Sequence, residues 1–331
     1  AGTILDVKNL QVVFHLDEGL LKAVDGVSLS VRQQKTLGLV GESGCGKSVT
    51  AQAVMGIVPR PGRVEGTIML RCKNGRGLVD VARLNPFGAE MRAIRGGEIA
   101  MIFQEPMKAF SPVHTIGDQI TEGILLHTTL NKKQACAVAL EMLGRVGMSN
   151  PRQRLAEYPH QLSGGMRQRA MIAMALSCQP SILIADEPST ALDVTVQAQV
   201  LRLMKDLQAE FGMSMIFITH DMGVIAEMAD EVAVMYLGRI VELAPVDVIF
   251  HEPTHPYTLE LLRSIPTLDS QPRTRLNCIE GTVPVPLNLG PGCGFYSRCK
   301  RGSDGLCDRE TPPLIEVKTG HFVRCFPQGI E

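Results

Sequence analysis

The stretch Gly41-Glu42-Ser43-Gly44-Cys45-Gly46-Lys47-Ser48 constrains this chain more than any other. It fits the spacing G-x-x-x-x-G-K-[ST] of a phosphate-binding loop. The glycines let the backbone curl until successive N–H groups point inward. Gly41, Ser43, Gly44, Cys45, Gly46 and Val49 are therefore expected to wrap the phosphates of a nucleotide. Lys47 would reach the β- and γ-phosphates, and Ser48 would place its hydroxyl on Mg²⁺. The context agrees. Thr36–Val40 is a short apolar run that reads as a buried strand, and Ser48–Met55 reads as a helix whose N-terminus favours anions.

Other apolar runs also end in polar residues. Glu98–Gln104 reads as a strand ending in Gln104. Ser181–Glu187 reads as a buried strand ending in Asp186 and Glu187, and Met215–His220 as one ending in His220. Strands alternating with helices imply a parallel sheet with ligand groups at the carboxyl ends of its strands. Asp186 could then hold Mg²⁺ from a strand tip, and Glu187 could accept a proton from an attacking water. Leu162-Ser163-Gly164-Gly165-Met166 stands at a helix start. Read alone it is either an ordinary serine cap or an anion-binding terminus. Since the chain already has a phosphate loop, the second reading implies phosphate contact in trans.

The order of elements gives the organisation. Ile4–Val31 reads as alternating strands, Gly62–Val81 as a second strand-rich piece, and Thr115–Met148 as a helical insertion. In the insertion, Val138, Leu140, Met142, Leu143 and Val146 recur at helical spacing. Thr195–Phe211 reads as an amphipathic helix stopped by Gly212. Val232–Leu243, turning at Gly238, reads as a closing hairpin. Asn131-Lys132-Lys133-Gln134 resembles a guanine-reading motif but lacks its Asp. The boundaries that follow are residues 1–244 for a nucleotide-binding domain, with its helical part at about 106–166, and 245–331 for a C-terminal extension.

Composition excludes several classes. The 331 residues carry a net charge of −1 and only 4% aromatics with no Trp, so nucleic acid is not an expected partner. No run approaches the roughly 18 apolar residues of a membrane span. The first residues show no basic-then-apolar signal pattern. The reading is a soluble cytosolic protein, with any membrane role supplied by partners.

Of nine cysteines, four lie close together as Cys293, Cys299, Cys307 and Cys325. Four thiolates suit tetrahedral zinc or a [4Fe–4S] cluster, although the spacings fit neither standard pattern, and free thiols are the third reading. Cys72, Cys136, Cys178 and Cys278 read as ordinary small apolar residues. His251 and His255 read as packing and turn residues, because prolines interrupt any helix between them. Cys45 sits at a helix N-terminus, where a lowered thiol pKa is expected.

Taken together, the phosphate loop, Phe103-Gln104-Glu105-Pro106, Leu162–Met166, Asp186-Glu187, Ser189-Thr190-Ala191-Leu192-Asp193 and His220 closely resemble the ATP-binding subunit of ABC transporters, in that family's order. The resemblance covers roughly residues 3 to 260. Four features resemble the dipeptide/oligopeptide/nickel importer branch: Gly41–Gly44, Tyr158-Pro159-His160-Gln161, His255-Pro256-Tyr257-Thr258 and the late cysteines. One departure is Gln34-Lys35, where the family usually has Gly-Glu.

The resemblance implies an α/β phosphate-loop fold: a mixed core sheet, an N-terminal antiparallel β-subdomain, a helical subdomain and a small Cys-rich extension. It implies a head-to-tail dimer with a second ATPase subunit, paralogous or identical, which sandwiches two ATP molecules. Ser163, Gly164 and Gly165 would meet the γ-phosphate held by the partner. Gln104 would contact Mg²⁺, His220 would bridge phosphate, water and Glu187, and Asp193 would couple the two sites. Phe14 would stack on adenine. Two transmembrane permease subunits and an extracytoplasmic binding protein are implied partners, which puts the chain at the cytoplasmic face of the membrane as a peripheral subunit. The implied activity is ATP hydrolysis driving import of di- or oligopeptides. Alternatives are another cargo (oligosaccharide, opine or nickel), an exporter, or a soluble ABC ATPase outside transport. Relatives in this branch can carry an iron–sulfur cluster, so the four late cysteines are expected to hold one, with zinc as the alternative.

Overall fold

A computed structural model describes residues 2–73, 75, 77–105, 109–189, 192–265 and 279–327. Pro106, Thr190, Ala191 and Cys278 lie outside the described residues. The chain opens with β1 (Thr3–Leu16) and β2 (Gly19–Arg32), then β3 (Thr36–Val40), α1 (Lys47–Val54), β4 (Arg63–Arg71), β5 (Leu78–Asp80), α2 (Ala89–Ile94) and β6 (Ile99–Ile102). Helices α3 (Ile116–His127), α4 (Lys132–Arg145), α5 (Pro151–Leu155) and α6 (Gly164–Leu176) follow. The second half runs β7 (Ile182–Asp186), α7 (Val194–Phe211), β8 (Ser214–Thr219), α8 (Met222–Met228), β9 (Glu231–Tyr236), β10 (Arg239–Pro245), α9 (Val246–His251) and α10 (Pro256–Arg263). It ends with β11 (Ile315–Lys318) and β12 (His321–Val323).

Two sheets result. The smaller is antiparallel, in the order β2-β1-β4-β5. The larger has the order β11-β12-β10-β9-β3-β8-β7-β6. Its run from β9 through β3, β8 and β7 to β6 is parallel, whereas β9, β10, β12 and β11 pair antiparallel. This is the mixed α/β architecture the sequence implied. The parallel strands β3, β7 and β8 are buried at every residue, as strands covered on both faces must be. Alternation then splits their side chains between two cores. Leu37, Leu39, Ile184, Ile216 and Ile218 pack with β1, β2 and α1. Val40, Leu183, Ala185, Met215 and Phe217 pack with α3, α4, α6 and α7.

Local chemistry explains the boundaries. The hairpin between β9 and β10 turns at Leu237 and Gly238, both at positive φ (43° and 75°), as a tight hairpin requires. Helix α7 stops where Gly212 turns left-handed at φ 61°. Asn131 and Gln134 form a reciprocal capping box at the start of α4: each side-chain oxygen accepts the other's backbone N–H at 3.0 Å. That is the physical use of the stretch that resembled a guanine motif. Gln34 holds φ 60°, the conformation for which glycine is the easy residue. Its N–H donates to Ser214 Oγ at 2.9 Å, and the neighbouring Lys35 pairs with Asp230 at 2.8 Å.

The C-terminal stretch packs back onto the sheet. Glu242 of β10 is fully buried, and its carboxylate accepts N–H groups from Thr254 and His255 and lies 2.7 Å from His321 Nε2 on β12. Tyr236, Tyr257 and Phe295 form a buried aromatic trio with ring centroids 4.7 to 5.3 Å apart.

Candidate nucleotide site

Because β6, β7, β8 and β3 run parallel, their carboxyl ends share one edge. The phosphate loop follows β3, Gln104 lies just beyond β6, Asp186 and Glu187 close β7, and His220 follows β8. Register fixes the match: Val40 is paired with Thr219, and Asp186 with Ile218.

The loop is drawn tight. Gly46 has φ 103°, and a Cβ there would stand 2.3 Å from the Ala23 carbonyl oxygen, so only glycine fits. Lys47 is 5% exposed, and its ammonium donates to the carbonyls of Gly41 and Glu42 at 2.7 and 3.0 Å. These neutral partners orient the charge without cancelling it. Ser48 Oγ donates to Asp186 Oδ1 at 3.1 Å. Burial pushes the Asp186 carboxyl above its ordinary pKa; the Ser48 hydrogen bond and the Lys47 charge oppose this, and the Glu187 charge adds to it. A buried carboxylate bonded to a hydroxyl, beside a fixed ammonium, is a donor set that suits Mg²⁺ and phosphate together.

Glu187 is the second polar centre. Its Oε2 accepts the Gln104 amide at 2.9 Å, and its Oε1 lies 3.1 Å from His220 Nδ1. The Glu187 side chain is only 11% exposed. Its backbone takes φ 47°, uncommon for a residue with a side chain and the kind of local strain that collects at functional sites. The Glu187 N–H donates to Ile218 O at 2.9 Å, which holds that strained turn against β8.

A cavity of about 570 Å³ joins the two centres. Phe14, Ser43, Gly44, Gly46, Lys47, Ser48, Val49, Gln104 and Glu187 all line it. Gly41 and Cys45, although in the loop, do not line the cavity, and neither do Ser163, Gly164, Gly165 and Asp193. Ser163 instead caps α6, accepting the Met166 N–H, and Asp193 caps α7, accepting the Val196 N–H at 2.9 Å. A Cβ on Gly165 would come 3.2 Å from Val196, so these two helix starts are neighbours.

Two expectations need correction. Cys45 is fully buried, and desolvation pushes its thiol above the ordinary pKa, outweighing the pull of Lys47 that a helix N-terminus position suggested. The second concerns the late cysteines. Among the described residues, no group of three or more His, Cys, Asp or Glu side chains is arranged to hold a metal ion. Cys293, Cys299, Cys307 and Cys325 line a cavity of about 20 Å³, room for roughly one water. Burial raises the thiols of Cys293, Cys299 and Cys325, the last to about 11. The expected iron–sulfur cluster or zinc ion does not fit the described residues.

Sequence reasoning missed two sets of residues. Leu21, Ala23 and the stretch Val283 to Pro286 also line the large cavity. Glu42, inside the phosphate loop, is held by Arg298 and by the Tyr257 hydroxyl, which accepts the Glu42 N–H at 2.9 Å. Nothing local marks Val283–Pro286, which reads as plain Pro-rich loop. Tyr257 lay in a stretch singled out by resemblance alone.

Residues 24–190 match the protein family described as ABC transporter. Residues 241–307 match the family described as oligopeptide/dipeptide transporter, C-terminal region. The oligopeptide transport ATP-binding protein AppD of Bacillus subtilis (strain 168) is 50% identical over 98% of this chain and 97% of its own length. The dipeptide transport ATP-binding protein DppD of the same organism is 47% identical over 98% of this chain and 95% of its own. In fold, the dimeric structure of MJ0796, a bacterial ABC transporter cassette, superposes with a TM-score of 0.64 at 24% identity, covering 73% of this chain and 99% of that one.

Proposed function

The chain belongs to the ABC transporter family, and from that premise we infer how its residues divide the work of an ATP-driven peptide importer. It is the ATP-hydrolysing subunit of that importer. It acts with a second ATP-binding subunit, membrane permeases and a substrate-binding protein. Among the described residues no helix is long and apolar enough to cross a membrane. The transport path therefore belongs to the permeases, and this subunit is peripheral to them. The match of residues 241–307 to the oligopeptide/dipeptide transporter region favours peptide as cargo over oligosaccharide, opine or nickel. The same match favours an importer over an exporter or a non-transport ATPase. A division at about residue 244 is in keeping with where that matched region begins.

One observation carries the reading of the site: Glu187 is clamped between Gln104 and His220 at the cavity that the phosphate loop lines. Lys47 and the loop N–H groups would hold the β- and γ-phosphates. Ser48, Asp186 and Gln104 would hold Mg²⁺, which when bound neutralises charge on the phosphate oxygens. Glu187 would take the proton of the attacking water, with His220 fixing its carboxylate toward the phosphate. Phe14 would face the base. Ser163, Gly164, Gly165 and Asp193, outside this cavity and next to each other, would complete the partner's site in a head-to-tail dimer. Closure on ATP then stores binding free energy that shifts the permeases between their two states.

The test is reconstitution of the full importer in vesicles. Peptide-loaded binding protein is expected to raise ATP turnover severalfold over the unloaded protein. Turnover indifferent to the binding protein would overturn the importer role.

A further inference from the structure

The large cavity is lined by both polar and apolar groups. Lys47 and Ser48 are among the first; Phe14, Leu21 and the stretch Val283, Pro284, Val285, Pro286 are among the second. That stretch lies 236 or more positions beyond Lys47 in the chain.

It is held in place by a specific seam. The Lys22 N–H donates to Pro286 O at 3.0 Å, and the Asn288 N–H donates to Leu20 O at 2.9 Å. Leu21 and Leu287 form an antiparallel bridge between these bonds. The Asn288 side chain locks the register: its Oδ1 accepts the Leu20 N–H at 2.9 Å, and its Nδ2 donates to Glu18 O at 3.2 Å. It reaches so far under the turn that a Cβ on Gly19 would stand 2.2 Å from its amide nitrogen. Gly19 also has φ 140°, so the turn is built around the asparagine. The late segment thus extends the edge of β2 and is not a loose flap.

The segment also presents an ordered face. Two prolines in alternation fix their own φ and restrict the residue before each. Little further chain entropy is lost when a ligand packs there. Val285 is 70% exposed, an aliphatic side chain left uncovered at the cavity rim. A molecule matching both kinds of lining needs a polyanion joined to a flat apolar body, which is the chemistry of a nucleoside triphosphate.

We propose that Val283–Pro286 is the base-side wall of the nucleotide pocket, facing the same base as Phe14, so that the late part of the chain sets affinity for the base of ATP. This rests on the reading of the cavity as the nucleotide site. It goes beyond that reading by assigning a binding role to residues outside the matched cassette.

The experiment compares Mg-ATP with Mg-tripolyphosphate, which has the charge and no base, by calorimetric titration of the full chain. Val285→Asp puts a charge on the wall, and Asn288→Ala loosens the seam without touching the cavity. Each is expected to weaken ATP about tenfold, the scale of one lost base contact, while tripolyphosphate affinity stays within about twofold. Thermal melts establish that each variant is folded; should Val285→Asp fail to fold, Asn288→Ala carries the comparison. Parallel losses for ATP and tripolyphosphate, or no loss for either, would overturn the wall while leaving the nucleotide site intact. A wild-type chain that binds neither ligand would overturn both.

Discussion

Arg298 grips Glu42: Nη1 lies 2.7 Å from one carboxylate oxygen and Nη2 3.1 Å from the other. The arginine side chain is 4% exposed and sits over the rings of Tyr236 and Phe295. A residue from the late segment therefore clamps the second residue of the phosphate loop. The forked geometry is one that lysine cannot copy. Arg298→Lys is expected to raise the KM for ATP about three- to tenfold with little change in kcat, because the loop loses its brace while Glu187 is untouched. Steady-state ATPase kinetics check this; an unchanged KM would reduce the pair to a structural contact.

Glu187→Gln keeps the shape of the side chain and removes its capacity as a base. Hydrolysis is expected to fall at least about 100-fold while ATP binding is retained. Single-turnover assays paired with equilibrium binding separate the two. A variant with normal turnover would take Glu187 out of the proton-accepting role.

Gln34 occupies a left-handed turn that costs a residue with a Cβ about 1–2 kcal/mol. Gln34→Gly is expected to stabilise the fold by about 0.5–1 kcal/mol, the gain being partly offset by a freer unfolded chain. The midpoint of urea unfolding measures it, with ATPase activity as the control. A lowered midpoint would mean the Gln34 side chain contributes more than its backbone costs.

His255 gives a pH dependence with a definite sign. Burial pulls its pKa down from 6.5 to about 3, opposed by a hydrogen bond to the Arg324 backbone, while the Arg324 charge lowers it further. Its Nδ1 must stay unprotonated to accept the Tyr257 N–H that starts α10. Below pH 6.5 the unfolded chain binds a proton that the folded chain refuses, so stability falls as pH falls. The loss attributable to this group is about 2 kcal/mol between pH 6.5 and pH 5. His255→Asn, which keeps a cap without the titration, is expected to flatten that part of the stability profile. An unchanged slope would assign the acid sensitivity to other groups.

What was legible in the sequence was what is local. The phosphate loop, the Leu237-Gly238 turn, the Gly212 stop and the strand ending in Asp186 and Glu187 each depend on residues within a few positions of each other. The sheet's parallel core followed from alternation of such pieces. The seam between Leu20 and Asn288 was not legible, since its partners stand 268 positions apart and each looks like ordinary loop. Arg298 gave no signal either, because its meaning lies in the carboxylate it meets. The late cysteines misled in the other direction. Their clustering suggested ligands, but among the described residues no group of three or more such side chains is arranged to hold a metal ion. Cys45 misled as well: position at a helix start predicts a lowered pKa, and full burial outweighs it.

The pairing of β12 with β10 has a consequence for how the protein is made. Glu242 and His321, which join those strands, are 79 positions apart. At synthesis rates of about 5–20 residues per second, β10 leaves the ribosome roughly 4–16 s before its neighbour exists. For that interval the nascent sheet ends in an open edge, with the Glu242 carboxylate still lacking its histidine. An open edge is a template for any passing strand. The newborn subunit is therefore most exposed to mispairing between the arrival of β10 and that of β12.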